Sequence, residues 1–157
     1  MSQRENDRRA RDVERFRGAF HSVVRSFGLL ESGATPCGRP LPISVAHALM
    51  ELLVRPRVRQ GELAQALGLS KSAASRVVAQ LEGRGWVERT TDETDGRVWR
   101  LALTVPGARV ARQLNASSLE RFALVLAGIP AHEREVVEGA LRVLSGAIVS
   151  TLQVREQ

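Results

Sequence analysis

Residues Gln60–Leu81, QGELAQALGLSKSAASRVVAQL, decide how this chain is read. At the helical period Leu63, Ala64 and Leu67 form one apolar stripe, and Ala74, Val77, Val78 and Leu81 form a second, so the spacing predicts two short helices. Between them, Gly68 is able to enter the left-handed region that ends a helix, Leu69 can plug the corner, and Ser70 can cap the next helix. This is a helix-turn-helix pattern. The small Ala64 faces the second helix near the corner, where a larger side chain would push the axes apart. The outward positions of the second helix are then Lys71, Ser72, Ser75, Arg76 and Ala79, short hydroxyls and cations that suit the floor and walls of a DNA major groove. The same residues would also serve as the solvated face of an ordinary helical hairpin, so the flanking sequence has to decide.

Downstream, Gly83 and Gly85 end the second helix. Trp86–Thr91 and Arg97–Leu103 read as strands, with Trp99, Leu101 and Leu103 alternating with Val98, Arg100 and Ala102. The polar turn Asp92-Glu93-Thr94-Asp95-Gly96 joins them. A helix-turn-helix followed at once by a β-hairpin is a winged helix. Upstream, Ile43–Val54 (ISVAHALMELLV) is predicted as a helix with Val45, Ala46, Leu49, Leu52 and Leu53 inward and Pro56 as its stop. His47 falls beside that face and reads as a partly buried packing histidine. His21 and His132 lie far off in sequence, and no cysteine or acidic pair shows ligand spacing, so no metal is expected.

Thr104 caps a long helix that tolerates Pro106 in its first turn and runs to about Ala127. Gly128-Ile129-Pro130 breaks it, and a last helix from Ala131 to about Val154 carries two apolar sets. One is Val137, Leu141, Leu144, Ile148 and Leu152; the other is Val136, Val143, Ala147 and Val149. That width exceeds what one face of a small domain needs, which points to cover by another subunit. At the other end, Val13, Phe16, Phe20, Val23, Phe27 and Leu30 are spaced 3, 4, 3, 4 and 3 between Asp12 and Leu30. Such a seam packs either on its own domain or against a partner chain. Glu31–Pro42 is a Gly- and Pro-rich loop containing Cys37 near Arg39, either an oxidant-sensing thiol or an inert one.

The bulk numbers agree. A chain of 157 residues, 43% hydrophobic, is long and apolar enough for a real core. Its net charge of +6 calls for a polyanionic partner, nucleic acid before membrane. Residues 55–100 hold nine Arg or Lys against six acids and residues 1–40 hold eight against five, while residues 101–157 are close to balanced at six against five. No apolar run approaches the ~18 residues of a membrane span, MSQRENDRRARD is too polar for a signal peptide, and a single cysteine fits a reducing compartment. A cytoplasmic protein is expected. No His–carboxylate pair at useful spacing, Gly-rich phosphate loop or nucleophile motif is present, so no catalytic residues, cofactor or enzymatic activity are assigned.

From the first helix to the last, the chain resembles the MarR family of bacterial transcription regulators. The most specific part is GELAQALGLSKSAASRVVAQLEGRGWVERTTDETDGRVWRLALTVPG, with Leu81, Glu82 and Gly85 at the helix end. Val87 and Arg89 open the wing, Asp92, Asp95 and Arg97 form its tip, and Leu103, Thr104 and Gly107 its exit. Gly96 and Thr94 depart from the charge common at that tip. The resemblance implies a mostly α fold with a small β-wing: a winged helix-turn-helix domain (residues 43–104) between an N-terminal dimerisation helix and linker (1–42) and C-terminal dimerisation helices (105–157). It implies a homodimer on a pseudo-palindromic operator in double-stranded DNA. Arg76 is the candidate for bidentate contact with guanine, Arg97 for a narrow minor groove with Asp92 or Asp95 as support, and Lys71 lies on the groove face. The hydroxyls of Ser70, Ser72 and Ser75, with Gln60 and Arg84, are candidates for phosphate contacts. The resemblance also implies repression relieved by a small aromatic ligand or an oxidant. Phe20, Val24, Leu49 and Leu53 are candidate lining for such a ligand and equally good core. The rival reading is a winged helix that binds proteins and no DNA.

Overall fold

The computed structural model describes residues 3–30, 35–92, 95 and 98–153. The chain divides into two compact units, Met1–Ile43 and Ser44–Gln157. The first contains α1 (Gln3–Ser26), which carries no buried residue. It starts ten positions before Val13, the first residue of the apolar seam, because the Arg-rich stretch ahead of it can form helix even without an apolar stripe. It also stops short of the seam's end. A bond from the Leu29 N–H back to the Val24 carbonyl (3.2 Å) closes the last turn, so Phe27 and Leu30 lie beyond the helix. In the loop that follows, the Thr35 and Arg39 backbones are joined at 2.8 Å, and the Thr35 hydroxyl accepts from the Arg39 N–H at 3.1 Å.

In the second unit, α2 (Ile43–Val54) buries Val45, Ala46, Ala48, Leu49 and Leu52 and leaves Leu53 half-buried. His47 is exposed instead of packed. Next come α3 (Gln60–Ala66) and α4 (Lys71–Gly83), the two helices of the helix-turn-helix. Both end alike. Gly68 (φ 61°) and Gly85 (φ 67°) take the left-handed conformation, which lets Leu69 N–H reach the Ala64 carbonyl (2.9 Å) and Trp86 N–H reach the Leu81 carbonyl (3.0 Å). At the start of α4 the Ser70 hydroxyl accepts from the Ala73 N–H at 3.2 Å, which satisfies one otherwise orphaned donor. At the start of α3 the Glu62 carboxylate accepts from the Arg59 N–H at 2.8 Å.

The wing is an antiparallel pair, β1 (Val87–Thr91) and β2 (Trp99–Leu103), in a register that sets Val87 opposite Leu103 and Arg89 opposite Leu101. Each strand is shorter than its sequence pattern. Trp86 does not join β1 because its N–H closes α4, although its carbonyl still accepts from Thr104 N–H (3.0 Å) in the register of the sheet. Val98 turns its N–H to the Asp95 carbonyl (2.9 Å), so β2 starts at Trp99. A third segment, not expected from the sequence, lies against this sheet: the Leu101 N–H donates to the Val58 carbonyl at 2.8 Å. Just before it Arg57 has φ 64°, a left-handed conformation that costs a side-chain-bearing residue about 1–2 kcal/mol. Arg100 holds it there. Its Nη1 donates to the Arg57 carbonyl (3.0 Å) while its Nε binds the carboxylate of Asp92, which is buried and also accepts from the Asp95 N–H (3.2 Å).

The long helix α5 (Val105–Ala127) is capped by the Thr104 hydroxyl, which accepts from Gly107 N–H (3.1 Å) and donates to the Gly85 carbonyl (2.6 Å). Only Gly107, Ala111 and Leu114 are buried, so the helix packs on the domain by its first three turns. Pro130 is followed by a 3-10 turn (Ala131–Glu133) instead of regular α-helix. Its carbonyl accepts from Glu133 N–H (2.9 Å), and α6 (Arg134–Gln153) begins only after it. Along the second half of α5 and along α6 large apolar side chains stand exposed, among them Leu119, Leu124, Val136, Leu141 and Val143. Among the described residues no helix is long and apolar enough to cross a membrane.

Two substitutions test this packing. A β-carbon on Gly107 would overlap the Trp86 carbonyl group, a backbone atom that cannot rotate away. Gly107→Ala is therefore expected to lower unfolding free energy by about 2 kcal/mol or more, read from the urea midpoint; an unchanged midpoint contradicts the close approach. Asp92→Ala leaves Arg100 without its carboxylate and is expected to cost about 1–3 kcal/mol in the same measurement. A loss below roughly 0.5 kcal/mol would mean that the pair does not brace the wing.

Candidate nucleic-acid interface

The two faces of α4 are sharply divided. Ala74, Val77, Val78 and Leu81 are buried, while Lys71, Ser72, Ser75, Arg76 and Ala79 are exposed, as is the capping Ser70. The inward set is what anchors the helix. With its apolar side fixed in the core, the outward side chains project from a rigid rod, the arrangement needed to hold groove contacts in register. Lys71 and Arg76 make no ion pair among the described residues, so both cations face solvent. The Ser70 hydroxyl is committed to the cap and lies 3.1 Å from that of Ser72. Ser72 and Ser75 remain the groove-face hydroxyls outside the cap.

Around this face the remaining sequence candidates fall into different settings. Gln60, on the first turn of α3, is half-buried, with its Oε1 3.5 Å from Arg89 Nη2. Arg89 Nε donates to Glu82 Oε1 at 2.7 Å, so β1 is tied to α4 and leans on α3 through a single guanidinium. Arg84, the residue after α4, sets its guanidinium carbon 5.0 Å from the centre of the Trp86 ring, a cation–π contact that steadies its side chain. Asp92 is buried beneath the wing, where it holds Arg100, and Asp95 is exposed. Arg97, with Glu93, Thr94 and Gly96, lies outside the described residues.

The ligand and redox candidates are placed as follows. Phe20 and Val24 sit on α1 in the first unit, exposed and half-buried respectively. Leu49 is fully buried on α2 in the second unit and Leu53 half-buried there, so Leu49 serves as core. Cys37 is half-buried with its Sγ 3.0 Å from the Thr35 hydroxyl. No cluster of three metal-ligating side chains occurs among the described residues.

Sequence reasoning missed the Arg100–Asp92 pair and the strained Arg57. It named Asp92 or Asp95 as support for Arg97, which lies outside the described residues; among those described, the Asp92 carboxylate binds Arg100. The alternation along β2 put Arg100 on the face of Val98 and Ala102 without giving it a partner. The short distance between residues 57 and 100 depends on Val58 joining the sheet, for which the sequence offers one cue, Pro56.

Comparison with known proteins places this geometry. Residues 40–98 match the model of the MarR family, covering α2 through most of the wing. The putative transcriptional regulatory protein for the hcr operon of Thauera aromatica is 30% identical over 124 residues, covering 79% of this chain and 70% of that one. The transcriptional repressor MprA of Escherichia coli is 39% identical over 57 residues, 36% of this chain and 32% of its own; the match thus spans about a third of that repressor's length. Among solved structures, the PcaV transcriptional regulator of Streptomyces coelicolor in complex with its natural ligand superposes with a TM-score of 0.60 at 25% identity. The alignment covers 87% of this chain and 90% of PcaV. With a two-stranded wing behind a helix-turn-helix, a family match from α2 through β1 and a 30% identical transcriptional regulator aligned over 79% of this chain, the chain belongs to the MarR family of transcription regulators.

Proposed function

We propose that this protein is a homodimeric, sequence-specific DNA-binding repressor whose two copies of α4 enter successive major grooves of a pseudo-palindromic operator. The observation that carries the reading is the division of α4: a fully buried apolar side that fixes the helix, and an exposed side of hydroxyls and two cations. Arg76 is assigned the bidentate guanine contact and Lys71, Ser72 and Ser75 the flanking phosphates and base edges. Arg97 is assigned the minor groove. Gln60 and Arg84 are assigned phosphate contacts, with the Arg89 and Trp86 contacts orienting them.

Dimerisation is supported by the exposed apolar residues of three helices. Val13, Phe16 and Val23 on α1, Leu119 and Leu124 on α5, and Val136, Leu141 and Val143 on α6 are all more than half exposed in the single chain. A monomer would leave this large apolar surface in water. A twofold pair that covers it would present the recognition helices about 34–36 Å apart, the repeat of the duplex. Repression is the direction supported by the likeness to the repressor MprA, and control by a bound ligand is supported by the likeness to PcaV, solved with its natural ligand. A ligand or an oxidant acting at Cys37 shifts the protein only by differing in affinity, or in reaction, between DNA-competent and incompetent states.

Retention of genomic fragments on the immobilised protein, followed by sequencing, yields the operator and its symmetry. On that operator, binding should fall by roughly 10³-fold as salt rises from about 50 to 200 mM. Arg76→Ala should cost about 1–3 kcal/mol of operator affinity with little change on unrelated duplexes. Absence of any duplex binding at low salt would leave the protein-interaction reading in its place. For the pair, Phe20→Asp puts a charge into the seam and is expected to shift sedimentation from dimer to monomer; an unaltered dimer removes α1 from the interface.

A further inference from the structure

We infer that Thr104 is a positioning residue for DNA reading: its hydroxyl fixes the angle at which α5 leaves the end of α4, and through that angle the separation of the two recognition helices in the pair. The inference rests on the dimeric regulator proposed above. The helix-turn-helix pattern gives this hydroxyl no role beyond capping α5, and the family match stops before it.

Three observations meet at this residue. Its hydroxyl makes two directed bonds at once, accepting from the Gly107 N–H of α5 (3.1 Å) and donating to the Gly85 carbonyl just past α4 (2.6 Å), across 19 positions of sequence. Its own N–H donates to the Trp86 carbonyl (3.0 Å), against which Gly107 is packed so closely that a β-carbon would overlap it. Beyond this point the domain holds α5 by little else. Ala111 and Leu114 are its other buried residues, and farther along Leu119 and Leu124 stand more than half exposed.

Apolar packing at Ala111 and Leu114 is non-directional, so it presses α5 onto the domain without choosing its angle, whereas a hydrogen bond weakens steeply when misaligned. The angle matters because α5 is long. Its 23 residues span roughly 35 Å, so a tilt of about 6° at the base moves the far end by about 3.5 Å, close to the rise of one base pair. The far end carries part of the apolar surface assigned to the partner subunit. The direction set at Thr104 therefore becomes the spacing that two α4 helices present to a duplex.

Three substitutions separate the bridge from the cap. Thr104→Ser keeps both bonds. Thr104→Asp keeps the cap, since a carboxylate accepts from the Gly107 N–H, but has no hydrogen to give the Gly85 carbonyl. Thr104→Ala loses both. Each full-length protein is titrated by fluorescence anisotropy against the retained genomic operator and against the same duplex with one base pair inserted between its half-sites. The insertion moves them apart by about 3.4 Å and turns one by about 35°. The quantity read is the ratio of the two affinities within one protein. Partial unfolding weakens binding to both duplexes alike, so the ratio reports the link and not stability. Sedimentation at the same concentration reports the dimer.

The parent and Thr104→Ser are expected to prefer the uninterrupted operator by roughly tenfold or more, the weight of one displaced base contact. In Thr104→Asp and Thr104→Ala, still dimeric, that ratio should fall about fivefold. A parent-like ratio in Thr104→Asp overturns the inference, because the cap alone then suffices. A lowered ratio in Thr104→Ser overturns it by assigning the effect to the methyl group, and a monomeric Thr104→Asp by placing Thr104 in assembly. If the parent binds the operator with no preference for spacing, the inference falls and DNA binding stands. If the parent retains no duplex at all, both fall.

Discussion

The architecture turns on one crossing, where the end of α4 meets the start of α5. Gly85 takes a left-handed conformation, Trp86 closes α4 through its N–H, and the Thr104 hydroxyl donates to the Gly85 carbonyl while accepting from the Gly107 N–H. Gly107 is there because nothing larger fits over the Trp86 backbone. One threonine side chain thus joins the recognition helix to the helix that leaves the domain, with the whole wing looped between them. Any change in the direction of α5 must act on Gly85, and through it on the last turn of α4. Under the proposed function, this crossing would link the helices that dimerise to the face that reads DNA through backbone and a hydroxyl alone.

The wing is fastened by two arginines facing different elements. Arg89 binds Glu82 on α4, and Arg100 binds Asp92 and the carbonyl of Arg57. The first pair is partly solvated, so its strength depends on salt; the second includes a buried carboxylate and is screened much less. Arg89 thus ties the middle of β1 to α4, and Asp92, just past the end of β1, is tied to Arg100 of β2. Under the proposed function, these ties would steady the strands beside α4, which is itself fixed by its buried apolar side.

Much of this was legible in the sequence, and the reasons are local. The helix ends at Gly68 and Gly85, the caps at Ser70 and Thr104, and the inward set Ala74, Val77, Val78 and Leu81 follow from chemistry acting over a few residues. The surplus apolar width of the last helix was visible too, and its exposed Val136, Leu141 and Val143 now give it a place. What was not legible depends on partners distant in the chain. Val58 joins the sheet through Leu101, Arg100 reaches Arg57 across 43 positions, and Asp92 serves Arg100. The limits of α1 were misread for another reason. A 3–4 apolar spacing continues into Phe27 and Leu30, but periodicity says nothing about the helix-closing bond at Leu29.

The central claim is that α4 reads bases from the major groove, twice and symmetrically. Methylation interference on a retained genomic fragment tests it most directly, because a methyl group on guanine N7 blocks only the major groove. The account predicts interference at guanines in two segments about 10–10.5 base pairs apart, related by the operator's dyad. Interference confined to adenine N3 in the minor groove, or a single segment without a symmetric mate, would contradict it.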